Sequence, residues 1–313
     1  MLHEKADNQG VCRNLQAMYL RAAAVLLLAC CSRSLAEPGD TAIPTYRTNV
    51  SEVRVTFFVT DQNNHEIATL QASDFAVVDQ DLIIRELRSF SRADFTDLQV
   101  LVLVDGSTSM SKRLSEEVAN VVDLVDHTDG VPEENFSIVS FQGLRPTVVC
   151  RGNCRTSYSA REIPRRSGGL TPLFDSIVVA TKLLSEQAGP HSKKVLVLLS
   201  DGDDTISRHT AGDAVNAALA QEVQIYTVGS GGSSGGEAIL RNFAGATGGR
   251  HFTRPDRNKL ADAVLEDFHT SYTITYLLPS HAAGFHSLRI LPTRNGNLNF
   301  HCRNGYYYGT NLP

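Results

Sequence analysis

Val100-Leu101-Val102-Leu103-Val104-Asp105-Gly106-Ser107-Thr108-Ser109 is the stretch on which the fold of this chain turns. An aliphatic run without polar alternation describes a strand buried on both faces, as in a parallel sheet covered by helices. An acid follows at once, then hydroxyls at alternate positions, so the strand ends in an oxygen-rich loop. Phe136 to Phe141, Lys194 to Leu199 and Ile225 to Val228 repeat the apolar run. The segments between carry apolar residues at helical spacing: Leu114, Val118, Val121, Val122 and Val125, then Leu173 to Leu184 and Ala214 to Ala220. This alternation predicts right-handed crossovers and an α/β fold with a doubly wound, mostly parallel sheet over residues 97–270.

Outside that region the period changes. Val53, Val55, Phe57 and Val59 mostly alternate with polar residues, the mark of a half-buried strand. Asp61 to Asn64 turn the chain, and extended stretches follow at Phe75 to Val78 and Leu82 to Leu87, separated by Asp79-Gln80-Asp81. Tyr272, Ile274 and Tyr276 return to period two, as do Leu298, Phe300 and Cys302. Residues 37–96 are therefore read as an N-terminal antiparallel β module and 271–313 as strands pairing with it, since neither flank has apolar surface enough to stand alone.

At 313 residues the chain has length for about two domains. Lys+Arg 29 against Asp+Glu 34 leaves a net charge of −5, so no basic field exists to hold nucleic acid. A hydrophobic fraction of 42% with 20% charged residues excludes collagen-like and disordered classes. Residues 1–36 read as a leader: Arg21, an apolar run from Ala22 to Cys31, and small residues at Ser34 and Ala36, with Met18 a second candidate start. The run is too short to span a membrane. Leu27, Leu28, Ala29 and Cys30 are similar to a lipobox, which leaves a lipid anchor on Cys30 and free secretion as alternatives. Either route predicts a periplasmic, envelope-attached or secreted protein. In that oxidising setting Cys150 and Cys154 can bridge the turn Arg151-Gly152-Asn153, the alternative being two thiols. Cys302 is expected on a buried strand face, and zinc is disfavoured because no second Cys or His pair stands nearby.

Three loops gather chemistry at expected carboxyl ends of strands, where open α/β sheets bind ligands. Asp105, Ser107 and Ser109 lie in the first, Thr171 in Gly168-Gly169-Leu170-Thr171-Pro172, and Asp201 in Asp201-Gly202-Asp203-Asp204. These are hard oxygen donors, suited to Mg²⁺ with Mn²⁺ or Ca²⁺ as substitutes. Each alone would more often be a helix cap than a ligand, and Asp203 and Asp204 read as solvated acids. The glycine-rich Gly229 to Gly236 lacks a P-loop lysine and reads as a flexible loop.

With DGSTS as its DxSxS pattern, the chain resembles the von Willebrand factor type A domain and its metal-ion-dependent adhesion site. The resemblance implies a Rossmann-like fold and metal-site roles for Asp105, Ser107, Ser109, Thr171 and Asp201, with the two acids often acting through water. Gly106 and Thr108 depart from the commoner residues around the first serine. Val59, Asp61, Leu70, Asp74 and Phe75 ahead of the domain, and Arg303, Gly305 and Tyr306 after it, resemble the bacterial VWFA-related family known from acidobacterial proteins.

Two functions are carried forward from the residues. One is a metal-dependent protein-binding or adhesion module whose partner presents Asp or Glu to the ion. The other is a Mg²⁺-dependent hydrolase at the same edge, although Ser107 stands where an aspartyl phosphatase needs a second Asp and no hydrolase elbow or HExxH is present. A structural subunit with a silent metal site is the plain third.

Overall fold

A computed structural model describes residues 51–67, 69–93, 95–107, 131–143, 145–154, 170–253, 259–294 and 296–309. The leader, Ser109 and the helix expected at Leu114 to Val125 lie outside the described residues. All described residues belong to one compact unit.

In chain order the N-terminal flank forms β1 (Glu52–Thr60), β2 (Phe75–Asp79), β3 (Leu82–Ile84) and β4 (Ser89–Arg92). The middle region forms β5 (Asp97–Asp105), β6 (Phe136–Gln142), β7 (Arg145–Arg151), α1 (Leu173–Gln187), β8 (Ser192–Ser200), α2 (Ala211–Ala220), β9 (Val223–Gly229), α3 (Ser234–Thr247), β10 (His251–Phe252) and α4 (Leu260–Thr270). The C-terminal flank adds β11 (Tyr272–Leu277), β12 (Gly284–Pro292), β13 (Asn299–Cys302) and β14 (Gly305–Tyr308).

The middle strands build one sheet in the order β10-β9-β8-β5-β6-β7. Its pairings are parallel except β6–β7, which is antiparallel. The unbroken apolar runs are explained by the two covered faces. Leu101, Leu103, Leu196 and Leu198 pack under α1, α2 and α3 through Ile177, Ala218 and Phe243. Val100, Val102, Val195 and Val197 face the other way, against Leu260 and Val264 of α4 and the Cys150–Cys154 disulfide. Each fully buried aliphatic side chain contributes about 1.5–3 kcal/mol, which is why β5 can be apolar along nearly its whole length. Two of the helices, α2 and α3, start where an N-cap side chain satisfies a first-turn N–H. Thr210 and Asp213 form a reciprocal capping box on α2, and Ser233 Oγ accepts from Gly236 N–H on α3.

The flanks form a β-sandwich of two antiparallel sheets, ordered β13-β1-β11-β4 and β14-β12-β2-β3. Both sheets interleave strands from before and after the α/β unit. The predicted alternation sets the register: Val55 lies opposite Ile274 and Phe57 opposite Tyr272, with their inward faces meeting Phe75, Val77 and Leu288. The β2–β3 turn places Gln80 and Asp81 at φ of 51° and 63°, the left-handed pair that a tight two-residue hairpin requires. The second stretch is shorter than expected. β3 ends at Ile84, and the charged Arg85 and Glu86 leave the sheet.

Sandwich and α/β unit meet at a charged junction. Arg250 pairs with Glu66 and Asp267, and its guanidinium lies 4.8 Å from the centre of the Phe58 ring. His301 stacks on Phe58 at 4.5 Å, and Tyr226 Oη donates to Asp267 Oδ2 at 2.6 Å. Cys302 is half-buried in β13, where burial pushes its thiol up to about 11. Among the described residues no helix is long and apolar enough to cross a membrane.

Candidate metal centre

β5 and β8 run side by side and in parallel, so Asp105 at the end of one comes beside Ser200 and Asp201 at the end of the other. Asp105 is fully buried. Its Oδ1 accepts from Ser107 N–H at 2.9 Å and its Oδ2 from Ser200 Oγ–H at 2.9 Å. Ser200 Oγ accepts in turn from Gly202 N–H at 3.0 Å, which ties the loop after β8 to the carboxylate after β5. Burial raises the Asp105 carboxyl to about 6, and the negative charge of Asp201 adds to the rise, while the bonds from Ser107 and Ser200 oppose it. Two acids thus stand close together in a poorly hydrated site, an arrangement that a cation relieves.

Thr171 reaches the same edge from the third loop. Gly143, just past β6, donates from its N–H to Leu170 O at 2.9 Å, and β6 lies next to β5. Thr171 is buried and its backbone is held by Thr205: its N–H donates to Thr205 Oγ1 at 2.7 Å and its carbonyl accepts from Thr205 N–H at 2.9 Å. It does not cap α1, whose first turn is served by other side chains. Phe174 N–H donates to Asp204 Oδ1 at 3.4 Å and Asp175 N–H to Ser207 Oγ at 3.1 Å. Asp201 likewise caps no helix, since α2 begins ten residues later on Thr210. The plain capping role therefore falls to Asp204. Asp203 has a structural use as well, accepting from Ser233 Oγ at 2.8 Å and from no expected ligand position.

Asp105, Ser107, Thr171 and Asp201 are thus all buried at one end of the sheet, and Ser109 lies outside the described residues. Sequence reasoning missed the supports. Ser200 and Thr205 position the expected residues, and their hydroxyls are one to four residues from Asp201 without standing in the motif. The loop Gly229 to Gly236, expected to be flexible, is packed on the backbone that carries Asp201. A Cβ on Gly232 would lie 2.5 Å from the Asp201 carbonyl oxygen, and one on Gly236 would lie 2.2 Å from it. Gly202, at φ +82°, has the Gly236 carbonyl equally close. These glycines permit close backbone approach, not freedom of movement.

The donor types, two carboxylates with hydroxyls, fit a hard divalent ion.

Comparison with known proteins agrees on the fold region. The sequence profile of the von Willebrand factor type A domain matches residues 99–266. Among solved structures, proximal thread matrix protein 1 from the mussel byssus aligns with a TM-score of 0.44 and 17% identity over 56% of this chain and 49% of that one. This chain thus spans about half the length of the mussel protein, which has also been solved with zinc in its MIDAS motif. The von Willebrand factor type A protein from Catenulispora acidiphila aligns with a TM-score of 0.43 and 14% identity over 85% of this chain and 76% of that one. The conserved hypothetical protein BatB from Bacteroides thetaiotaomicron gives 0.41 and 15% over 54% and 98%. No curated protein matches the chain. The profile covers more than half of the sequence, including the strand, loop and acid pattern from which the sheet was read, and the chain belongs to the von Willebrand factor type A domain family.

Proposed function

We propose that the protein is a secreted or envelope-held binding module that captures an acidic side chain of a protein partner at a Mg²⁺ site on the carboxyl edge of its central sheet. The observation that carries this reading is the pair of buried acids, Asp105 and Asp201, gathered with the buried Ser107 and Thr171 at one end of the sheet, where the charge of Asp201 helps to raise the Asp105 carboxyl. Asp105, Ser107, Ser109, Thr171 and Asp201 would hold the ion, with Mn²⁺ or Ca²⁺ as substitutes. Once bound, a hard cation with few carboxylate ligands keeps water in its remaining positions, which a Glu or Asp of the partner can displace. The chain's own work is to hold the donors still. Ser200 fixes Asp105, Thr205 fixes Thr171, and the glycine-rich loop fixes the backbone of Asp201. Specificity then comes from the protein surface around the ion, because one carboxylate contact selects little. The leader pattern and the Cys150–Cys154 disulfide support placement outside the reducing cytoplasm.

Calorimetric titration with Mg²⁺ tests the site. Asp201→Ala should weaken Mg²⁺ binding at least about tenfold, the loss of one charged ligand, while circular dichroism stays that of the parent. Equal affinity in the two proteins would overturn the reading.

A further inference from the structure

At the amino end of the same sheet, the first residues of β8 and β9 face β1 across a cavity of about 130 Å³. Arg54, His191 and Glu222 are exposed at its mouth, and Lys193, Val223 and Thr247 are buried at its floor. Phe57, Phe95 and Leu219 supply apolar wall. The lining is strongly unbalanced in charge: Arg54, Lys193, Lys194 and Arg303 stand against the one carboxylate of Glu222.

Two of these cations lack acceptors that their burial calls for. Lys193 Nζ donates to Ser271 Oγ at 3.1 Å and otherwise faces the rings of Phe58 and Phe95, each 5.8 Å away. Burial pulls this ammonium down to about 8, with the field of Asp267 opposing the fall. Arg303 donates from Nη1 to Glu222 Oε1 at 3.2 Å and from Nη2 to the Arg54 carbonyl at 2.8 Å, but its buried Nε–H has no acceptor. An unmet buried donor is costly, and more so when charged, so an acceptor supplied by a ligand is rewarded twice, by the bond and by the charge. The size of the space limits the ligand. A cavity of about 150 Å³ holds a benzene ring, and this one is slightly smaller.

We infer that the cavity binds a small organic carboxylate, whose apolar body rests against Phe57, Phe95 and Leu219 while its oxygens accept hydrogen bonds from Arg303 and Lys193. A neutral compound of the same shape would leave the cations unmet, and an inorganic anion would leave the apolar wall unmatched. The site is distinct from the metal edge, because β8 runs from its first residue in the cavity wall to its last at Ser200 beside Asp105.

Benzoate is the probe, with benzamide as the uncharged isostere and sulfate as the anion without a ring. Calorimetry on the full chain should show saturable benzoate binding, with benzamide and sulfate each at least about tenfold weaker, the factor expected for one charge-assisted contact or for the lost apolar burial. Lys193→Met keeps the volume and removes a buried charge, so it should fold. It should lower benzoate affinity about tenfold or more and leave Mg²⁺ binding unchanged. Absence of saturable benzoate binding, equal binding of benzamide or sulfate, or benzoate affinity unaltered in Lys193→Met would each overturn the inference. The comparison of the three probes needs no variant, and none of these outcomes depends on the Mg²⁺ reading.

Discussion

β8 starts on a buried cation and finishes against buried acids, and the two ends solve the same physical problem differently. Burial displaces both ionised groups, pulling Lys193 down to about 8 and raising Asp105 to about 6. At the amino end the chain supplies part of the answer, because Asp267 sets a negative charge near Lys193 and pairs with Arg250. At the carboxyl end the charge acting on Asp105 is that of Asp201, of the same sign. One end is partly balanced from within, with Lys193 and the Arg303 Nε–H still short of acceptors. At the other the neighbouring charge repeats the sign, and the counter-charge proposed there is a metal ion.

The largest test of the contrast removes the internal counter-charge. Asp267→Ala leaves Arg250 with Glu66 alone and takes the acceptor from Tyr226, so it should cost about 3–5 kcal/mol in urea unfolding, as breaking a buried pair does. A parent-like midpoint would show that the junction does not rely on Asp267. A pH series sharpens the same comparison. The folded-state lowering of Lys193 from 10.5 to about 8 means that native protein loses this proton before unfolded protein does. The cost of burying the charge is therefore present below about pH 8 and fades as pH rises toward the unfolded value. Lys193→Met should be more stable than the parent by up to about 3 kcal/mol at neutral pH, with the gap closing at alkaline pH. A gap that does not change with pH would remove the electrostatic account of this end. The smallest effect belongs to the carboxyl end. Ser200→Ala deletes one hydroxyl that serves both Asp105 and Gly202, for about 1 kcal/mol in thermal unfolding.

How much of this was legible in the sequence follows from which residues carry signal locally. β5, β6, β8 and β9 announced themselves because both of their faces are covered, so most of their positions are apolar. β12 did not. Its inward positions include His286 along with Leu288 and Ile290, while Phe285 and Leu291 point outward, which blurs the alternation. β4 offers Phe90 alone among polar neighbours, and β7 exposes Val148 on an edge strand. At the site, Asp105, Thr171 and Asp201 could be picked out because each directly follows or borders a recognisable element. Ser200 could not, since the last residue of an apolar strand reads as its end rather than as a ligand's support. The glycines at 229, 231, 232, 235 and 236 look like slack when read in isolation. What demands Gly232 and Gly236 is the Asp201 carbonyl, some thirty residues earlier, and no local pattern contains that partner.

The interleaved sandwich also dictates an order of assembly. β1 lies between β11 and β13, and β2 pairs with β12, so neither N-terminal sheet half can complete its ladder until the last strands have been synthesised. The bond from Ala93 N–H to Ser271 O, 2.9 Å long, brings the entry and exit of the α/β unit together. That unit is thus a clasp. Once folded, it turns a loop of well over a hundred residues into a short bridge and lowers the entropic cost of closing the sandwich. A nascent chain halted before Tyr272 would carry four strands with open edges, the form in which β proteins aggregate.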